Sequence, residues 1–313
     1  MFYKFFKTFF VLSLILQFGL IQNVKSDEIS GAKRYDTDFQ EKNIETFGMD
    51  HSKVIALTFD DGPGAGTEQI LNTLKRYKIK ATFFVLGQQI KSHPALARRI
   101  VSEGHVMGNH SYTHPDLREG KYTEHPELLT EELMNTHEAM KPYLRPDAKL
   151  FFRAPYAAWK PQNAEILNSD PELRKYVGPI CWDVGRDVEW DSKEYTNAAD
   201  WECWGHKNPL SEKACGDAYL HKLRELGGGV VLMHDIHIKT ADMLDLLLPQ
   251  LIAEGFIFKT LDELPELENY PVGSGSRVAR VPPSDSSLSP YKGRCLPTHR
   301  ADAKIFSKPP QST

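Results

Sequence analysis

The stretch "VIALTFDDGPG", residues 54–64, sets two adjacent carboxylates, Asp60 and Asp61, between an apolar run and a glycine–proline pair. Residues 54–59 are apolar or β-branched, and Gly62-Pro63 ends the run, so the stretch reads as a buried strand closed by a turn. Asp before Gly is ordinary turn chemistry. Parallel strands of α/β proteins, however, hold their reactive groups at their carboxyl ends. The choice between a solvated turn and a reactive site depends on what the rest of the chain places beside it.

Outward from this strand, short apolar runs alternate with amphipathic stretches up to about residue 260. Strand candidates fall at 54–59, 81–86, 105–108, 150–152, 180–182, 230–233 and 256–259. Helical patterns lie between them at 68–77, 94–103, 128–144, 163–168, 217–226 and 240–254. Strand and helix in alternation predict an α/β fold with about seven parallel strands covered by helices. At this stage a barrel and an open sheet fit equally well.

The 313 residues are 41% hydrophobic and 26% charged, ordinary for a globular chain, with a net charge of -4 that gives no reason to expect nucleic acid as a partner. The first 26 residues have the layout of a signal peptide: Lys4 and Lys7, an apolar core, and small or polar residues before Asp27. Ser13, Gln17 and Gly19 break the apolar stretch, which makes an uncleaved membrane anchor the weaker alternative. The expected organisation is therefore signal peptide 1–26, N-terminal arm 27–46, an α/β domain 47–265 and a basic, Pro- and Ser-rich tail 266–313. Export, secreted or periplasmic, without stable membrane insertion, is the corresponding expectation, and a monomer the expected state. Cys181, Cys203, Cys215 and Cys295 allow three disulfide connectivities. Cys203 with Cys215 would close a short loop, and Cys181 fits a buried free thiol equally well.

Ionisable residues follow five of the strand candidates: Asp60-Asp61, then "GNHSYTHPD" at 108–116, "RAPY" at 153–156, Asp183, and "MHD" at 233–235. His110 and His114 are four apart, a spacing that lets two imidazoles share one side of a turn. Pro115 disfavours a helical His114, so the pair belongs on a turn beside the sheet. Two histidines and one carboxylate, with a position left for water, form a catalytic zinc arrangement. Side chains of adjacent strand residues diverge, so Asp60 and Asp61 divide naturally into one ligand and one general base.

TFDDGP at 58–63, HSYTH at 110–114, RAPY at 153–156 and LMHD at 232–235, in that order, resemble the motifs of the polysaccharide deacetylases, the family 4 carbohydrate esterases. The resemblance covers roughly residues 50–265. It implies a deformed (β/α) barrel and a divalent metal, Zn2+ foremost with Co2+, Ni2+ or Mn2+ as alternatives. It makes Asp60 the catalytic base and Asp61, His110 and His114 the metal ligands. Arg153 would pair with the base, and His234 would be the general acid. The N–H of Tyr156, beside Pro155, would be an oxyanion donor, and Leu232 would line an acetyl pocket.

The chain departs from the family pattern after Trp182. An insertion of about fourteen residues, 186–199, separates Trp182-Asp183 from Asp200-Trp201. Asp183 is the expected carboxylate that orients the acid or the arginine, with Trp182 and Trp201 as aromatic substrate contacts. Asp187 with Trp190 is the rival assignment. The resemblance implies an N-acetylated glycan as substrate. Peptidoglycan N-acetylglucosamine leads, with chitin or chitooligosaccharides, acetylxylan, or a non-catalytic carbohydrate-binding role as alternatives.

Overall fold

The computed structural model describes residues 53–186, 189–190, 195–205 and 209–268. The expected signal peptide and N-terminal arm, Asp187, Cys295 and nearly all of the expected tail lie outside the described residues.

Nine strands are present among these residues: β1 (Val54–Asp60), β2 (Thr82–Val85), β3 (Val106–Asn109), β4 (Leu150–Phe151), β5 (Tyr176–Val177), β6 (Glu189–Trp190), β7 (Tyr195–Asn197), β8 (Gly229–His234) and β9 (Ile257–Phe258). The main sheet runs β3-β2-β1-β8, all parallel, with β9 pairing the start of β1. β4 and β5 form a second parallel pair. One single bridge joins Phe152, just after β4, to Asn109 of β3, and another joins Val184, seven residues past β5, to Val231 of β8. Helices Thr67–Tyr77, Pro94–Ser102, Pro126–Met140, Pro161–Ser169, Glu212–Leu226 and Ile238–Ala253 fill the intervals where the sequence shows helical patterning.

The fifth expected strand, 180–182, is a correction. β5 lies earlier, at Tyr176–Val177, and the chain then threads past Gly178-Pro179. Proline has no N–H to give a ladder. Pairing resumes only piecemeal, from the Ile180 N–H to Phe152 O and from the Asp183 and Val184 N–H groups to Val230 O. Short helices at Gly87–Ser92, Lys121–Glu124 and Asp200–Gly205, and the antiparallel β6–β7 hairpin, were not legible in the sequence.

β1 is buried on both faces, which is why it reads as an unbroken apolar run. Ile55, Leu57 and Phe59 pack outward into a core shared with the helices, together with Val231 and Met233 of β8. Ala56, Val230, Phe84, Phe151 and Ile180 form a separate inner core. The period of two then fixes what stands at the top of that inner face. Ala56 is followed by Thr58 and Asp60, Val230 by Leu232 and His234, Val106 by Gly108 and His110, and Phe151 by Arg153.

Candidate active site

β1 ends at Asp60, and Asp61 adopts a left-handed backbone with φ 75°, so the two carboxylates part company. The following turn needs a glycine: a Cβ on Gly62 would run into the Asp235 carboxylate packed beneath it. Asp235 accepts a 2.6 Å hydrogen bond from Thr67, and burial pushes its carboxyl up to about 7.

Asp60 is 3% exposed and faces Arg153, which is 1% exposed, at 2.8 Å. The guanidinium is held from every side. It donates to Thr58 Oγ1 at 2.7 Å, to Ile180 O at 3.0 Å and to Cys181 O at 3.3 Å, and lies over the Phe84 ring. A buried charge held this way can orient a carboxylate without moving toward it.

Asp61, His110 and His114 converge so that one ligand atom from each lies within 4.8 Å of the others. Asp61 Oδ1 stands 3.4 Å from His110 Nε2 and 3.1 Å from His114 Nε2. His110 Nδ1 donates to Arg153 O at 2.8 Å, which leaves Nε2 as the ring nitrogen that faces the site. Burial holds His114 down at about 4, so it is neutral near pH 7. Burial opposes the charge on Asp61, but the imidazoles of His114, His110 and His234 outweigh it and keep the carboxyl ionised. Its Oδ1 is buried and makes no hydrogen bond. Lone pairs of three ligand atoms thus face one another across a gap, an arrangement that a cation satisfies and a hydrogen-bond network does not. The donor set fits a divalent ion such as zinc.

His234, at the end of β8, pairs through Nδ1 with Asp200 Oδ1 at 2.8 Å. The Asp200 carboxylate also accepts from the His234 N–H at 2.7 Å, the Trp201 N–H at 2.9 Å and Thr240 Oγ1 at 2.7 Å. Burial works against the imidazolium, yet Asp200, with Asp61 and Asp60 beyond it, raises His234 to about 10.

The expected role of Asp183 is therefore corrected. Its Oδ2 accepts from the Val230 N–H at 2.8 Å, and burial pushes the carboxyl up to about 6. Val230 precedes His234 by four residues, about 13 Å along a strand, so Asp183 sits low on the sheet. Asp200 is the residue the sequence reading missed. Its signal was the displaced Asp200-Trp201 pair, from which only Trp201 was drawn.

The remaining expected residues cluster around this centre. Tyr156, in the turn Pro155–Ala157, has φ 56° and sets its ring edge against His114 with centroids 4.3 Å apart. Pro155 is buried in the same turn, and Leu232 is buried on the inner face of β8. Trp182 lies beside the Arg153 guanidinium, and with Ala154, Ala157, Trp159 and Pro179 lines a small apolar cavity. Trp201 is half-buried on the helix Asp200–Gly205. Trp190 lies on β6.

Comparison with known proteins places this arrangement in context. A family model described as polysaccharide deacetylase matches residues 48–171. The chain is 31% identical over 235 residues to a peptidoglycan-N-acetylglucosamine deacetylase of Bacillus cereus, covering 72% of this chain and 73% of that protein. It is 35% identical over 220 residues to the peptidoglycan-N-acetylglucosamine deacetylase PgdA of Listeria monocytogenes, covering 68% of this chain and 39% of that one. The chain thus spans about two fifths of the length of the Listeria protein. The solved structure of the Bc1960 peptidoglycan N-acetylglucosamine deacetylase superposes with a TM-score of 0.55 at 28% identity, over 69% of this chain and 90% of that one.

Proposed function

Because the chain belongs to the polysaccharide deacetylase family, we propose that it is a metal-dependent hydrolase removing N-acetyl groups from an amino-sugar polysaccharide. Peptidoglycan N-acetylglucosamine is the proposed substrate. The observation that carries this reading is the convergence of Asp61, His110 and His114 between two differently tuned pairs, Asp60 with Arg153 and His234 with Asp200.

Asp61, His110 and His114 would hold the ion, with zinc favoured by the two imidazoles and cobalt, nickel or manganese as alternatives. When bound, it supplies Lewis acidity that polarises the acetyl carbonyl and acidifies the attacking water. Asp60, fixed by Arg153, takes the water's proton as the oxygen attacks the carbonyl carbon. The Tyr156 N–H is the proposed partner for the developing oxyanion. His234, raised to about 10 and so protonated at neutral pH, gives its proton to the nitrogen as the C–N bond breaks. Acetate and a free amine leave. Leu232, Pro155 and Trp182 are the proposed apolar contacts for the acetyl methyl and sugar, with Trp201 at the rim.

The signal-peptide layout of residues 1–26 supports export of the enzyme to the outside of the membrane, where such a glycan lies. Among the described residues no helix is long and apolar enough to cross a membrane. Relatives named for peptidoglycan N-acetylglucosamine support that substrate, and one of similar identity named for chitooligosaccharides makes that glycan the first alternative. The test is acetate release with product mass, measured side by side on peptidoglycan, chitooligosaccharides and acetylxylan. Acetate from peptidoglycan with a mass loss of one acetyl per glucosamine is expected. Release from acetylxylan alone would replace the amide with an ester.

A further inference from the structure

The segment carrying both histidines is held in an unfavourable backbone. Ser111 and His114 have φ 70° and 62°, left-handed conformations that non-glycine residues enter only at an energetic cost. Such a loop keeps its shape only if its surroundings impose it. Between the two strained residues, the Tyr112 and Thr113 N–H groups both donate to Glu132 Oε2 at 2.9 Å. Thr113 Oγ1 donates to Glu132 Oε1 at 2.7 Å. Consecutive N–H groups that converge on one carboxylate form an anion-binding concavity, and the bonds are charge-assisted.

The carbonyls of the same loop are taken from the opposite side. Ser111 O accepts from the Gly87 N–H at 3.1 Å and Tyr112 O from the Gln88 N–H at 3.4 Å. A Cβ on Gly87 would collide with the Tyr112 ring and stand 2.7 Å from Thr136 Oγ1. Thr136 lies one turn beyond Glu132 on the helix Pro126–Met140. The loop is therefore clamped between that helix and the helix Gly87–Ser92, with Glu132 supplying the polar half of the grip.

We propose that Glu132 is a positioning residue for the metal site. It holds the loop so that His114 Nε2 faces Asp61, and so sets metal affinity without touching the ion. This rests on the metal reading given above. Without Glu132 the two N–H groups lose their common acceptor, the left-handed residues relax, and the ligands must be gathered at the moment of binding. Outer-shell partners of this kind are worth about 10–100-fold in affinity.

The test uses the full chain stripped of metal, with zinc titrated against a chromophoric chelator and apo-protein melting followed in parallel. E132A is expected to weaken zinc binding by about 10-fold or more. E132Q is expected to stay near wild type, because its amide oxygen accepts both N–H groups while its NH2 donates to the Thr113 hydroxyl. Wild-type zinc affinity in E132A overturns the proposal, whatever happens to its melting temperature. Equal loss in both variants also overturns it, by assigning the effect to bare charge near the ion. If E132A does not fold, E132D replaces it: the shortened side chain cannot span both contacts, and wild-type affinity there is equally fatal. A wild-type chain that binds no zinc would be a different result, since it removes the metal reading itself.

Discussion

Asp60 and Asp61 are adjacent in sequence and opposite in circumstance. One sits against a buried guanidinium, the other against two imidazoles. Asp60→Asn keeps an oxygen for Arg153 and leaves the ligand set whole, so metal content should hold while turnover falls by about 10²–10⁴-fold, the usual worth of a general base. Asp61→Asn should instead lose metal, read by elemental analysis after dialysis. Near-wild-type turnover of Asp60→Asn at saturating metal would defeat this division of labour. At the other pair the prediction concerns pH. His234 must be protonated to act, and Asp200 is the chief group that raises it to about 10. Asp200→Asn removes that charge, so the imidazole loses its proton at lower pH. The alkaline limb of kcat/KM should move toward neutrality while the acid limb stays. A limb that does not move would show that Asp200 leaves the acid's proton affinity unchanged.

At the scale of elements, the helix Glu212–Leu226 is the buttress that delivers Asp200 to His234. Cys215 is joined to Cys203, on the short helix that carries Asp200. One turn further along, Tyr219 accepts from the Asp200 N–H at 2.9 Å and donates to Leu232 O at 3.0 Å. A disulfide closing a loop of this size contributes about 2–4 kcal/mol in the chain-entropy view. The Cys203→Ser, Cys215→Ser pair should lose about that much unfolding free energy and so unfold at lower denaturant, with loss of turnover larger than any loss of metal. An unchanged denaturation midpoint would remove the disulfide from the list of supports. Legibility in the sequence follows the same lines. Parallel strands and the helices between them could be read because burial and periodicity leave local marks, whereas four cysteines left three connectivities open and the structure shows the bond between Cys203 and Cys215. Cys181 is disulfide-bonded, which settles against a free thiol. Asp200 could not be placed by reading outward from a strand end. It reaches His234 from a helix thirty-four residues earlier in the chain, a tertiary contact with no local period. Asp183 misled for the complementary reason. It follows a strand-like run, but the interruption at Gly178-Pro179 leaves that run shifted low against β8.

Across the whole molecule, the inner face of the parallel strands is a conserved plan within this one chain: apolar below, ionisable at the top, repeated at β1, β3, β4 and β8. Between the Val184 bridge to β8 and Asp200 comes the insertion at 186–199, whose described residues include the antiparallel pair β6 and β7. Its far end is anchored, since Asn197, Ala198 and Ala199 are buried beside the helix Glu212–Leu226. Residues 189–195 can therefore be replaced without touching the residues that hold Asp200. Replacing residues 189–195 with a short polar turn should leave hydrolysis of a small acetylated substrate within about two-fold. KM for long glycans should rise if this segment supplies binding to sugars beyond the reacting one, because remote contacts act on extended substrates alone. Equal loss on short and long substrates would mean that the segment supports Asp200 through β7. No change on either would make it a solvated loop with no part in recognition.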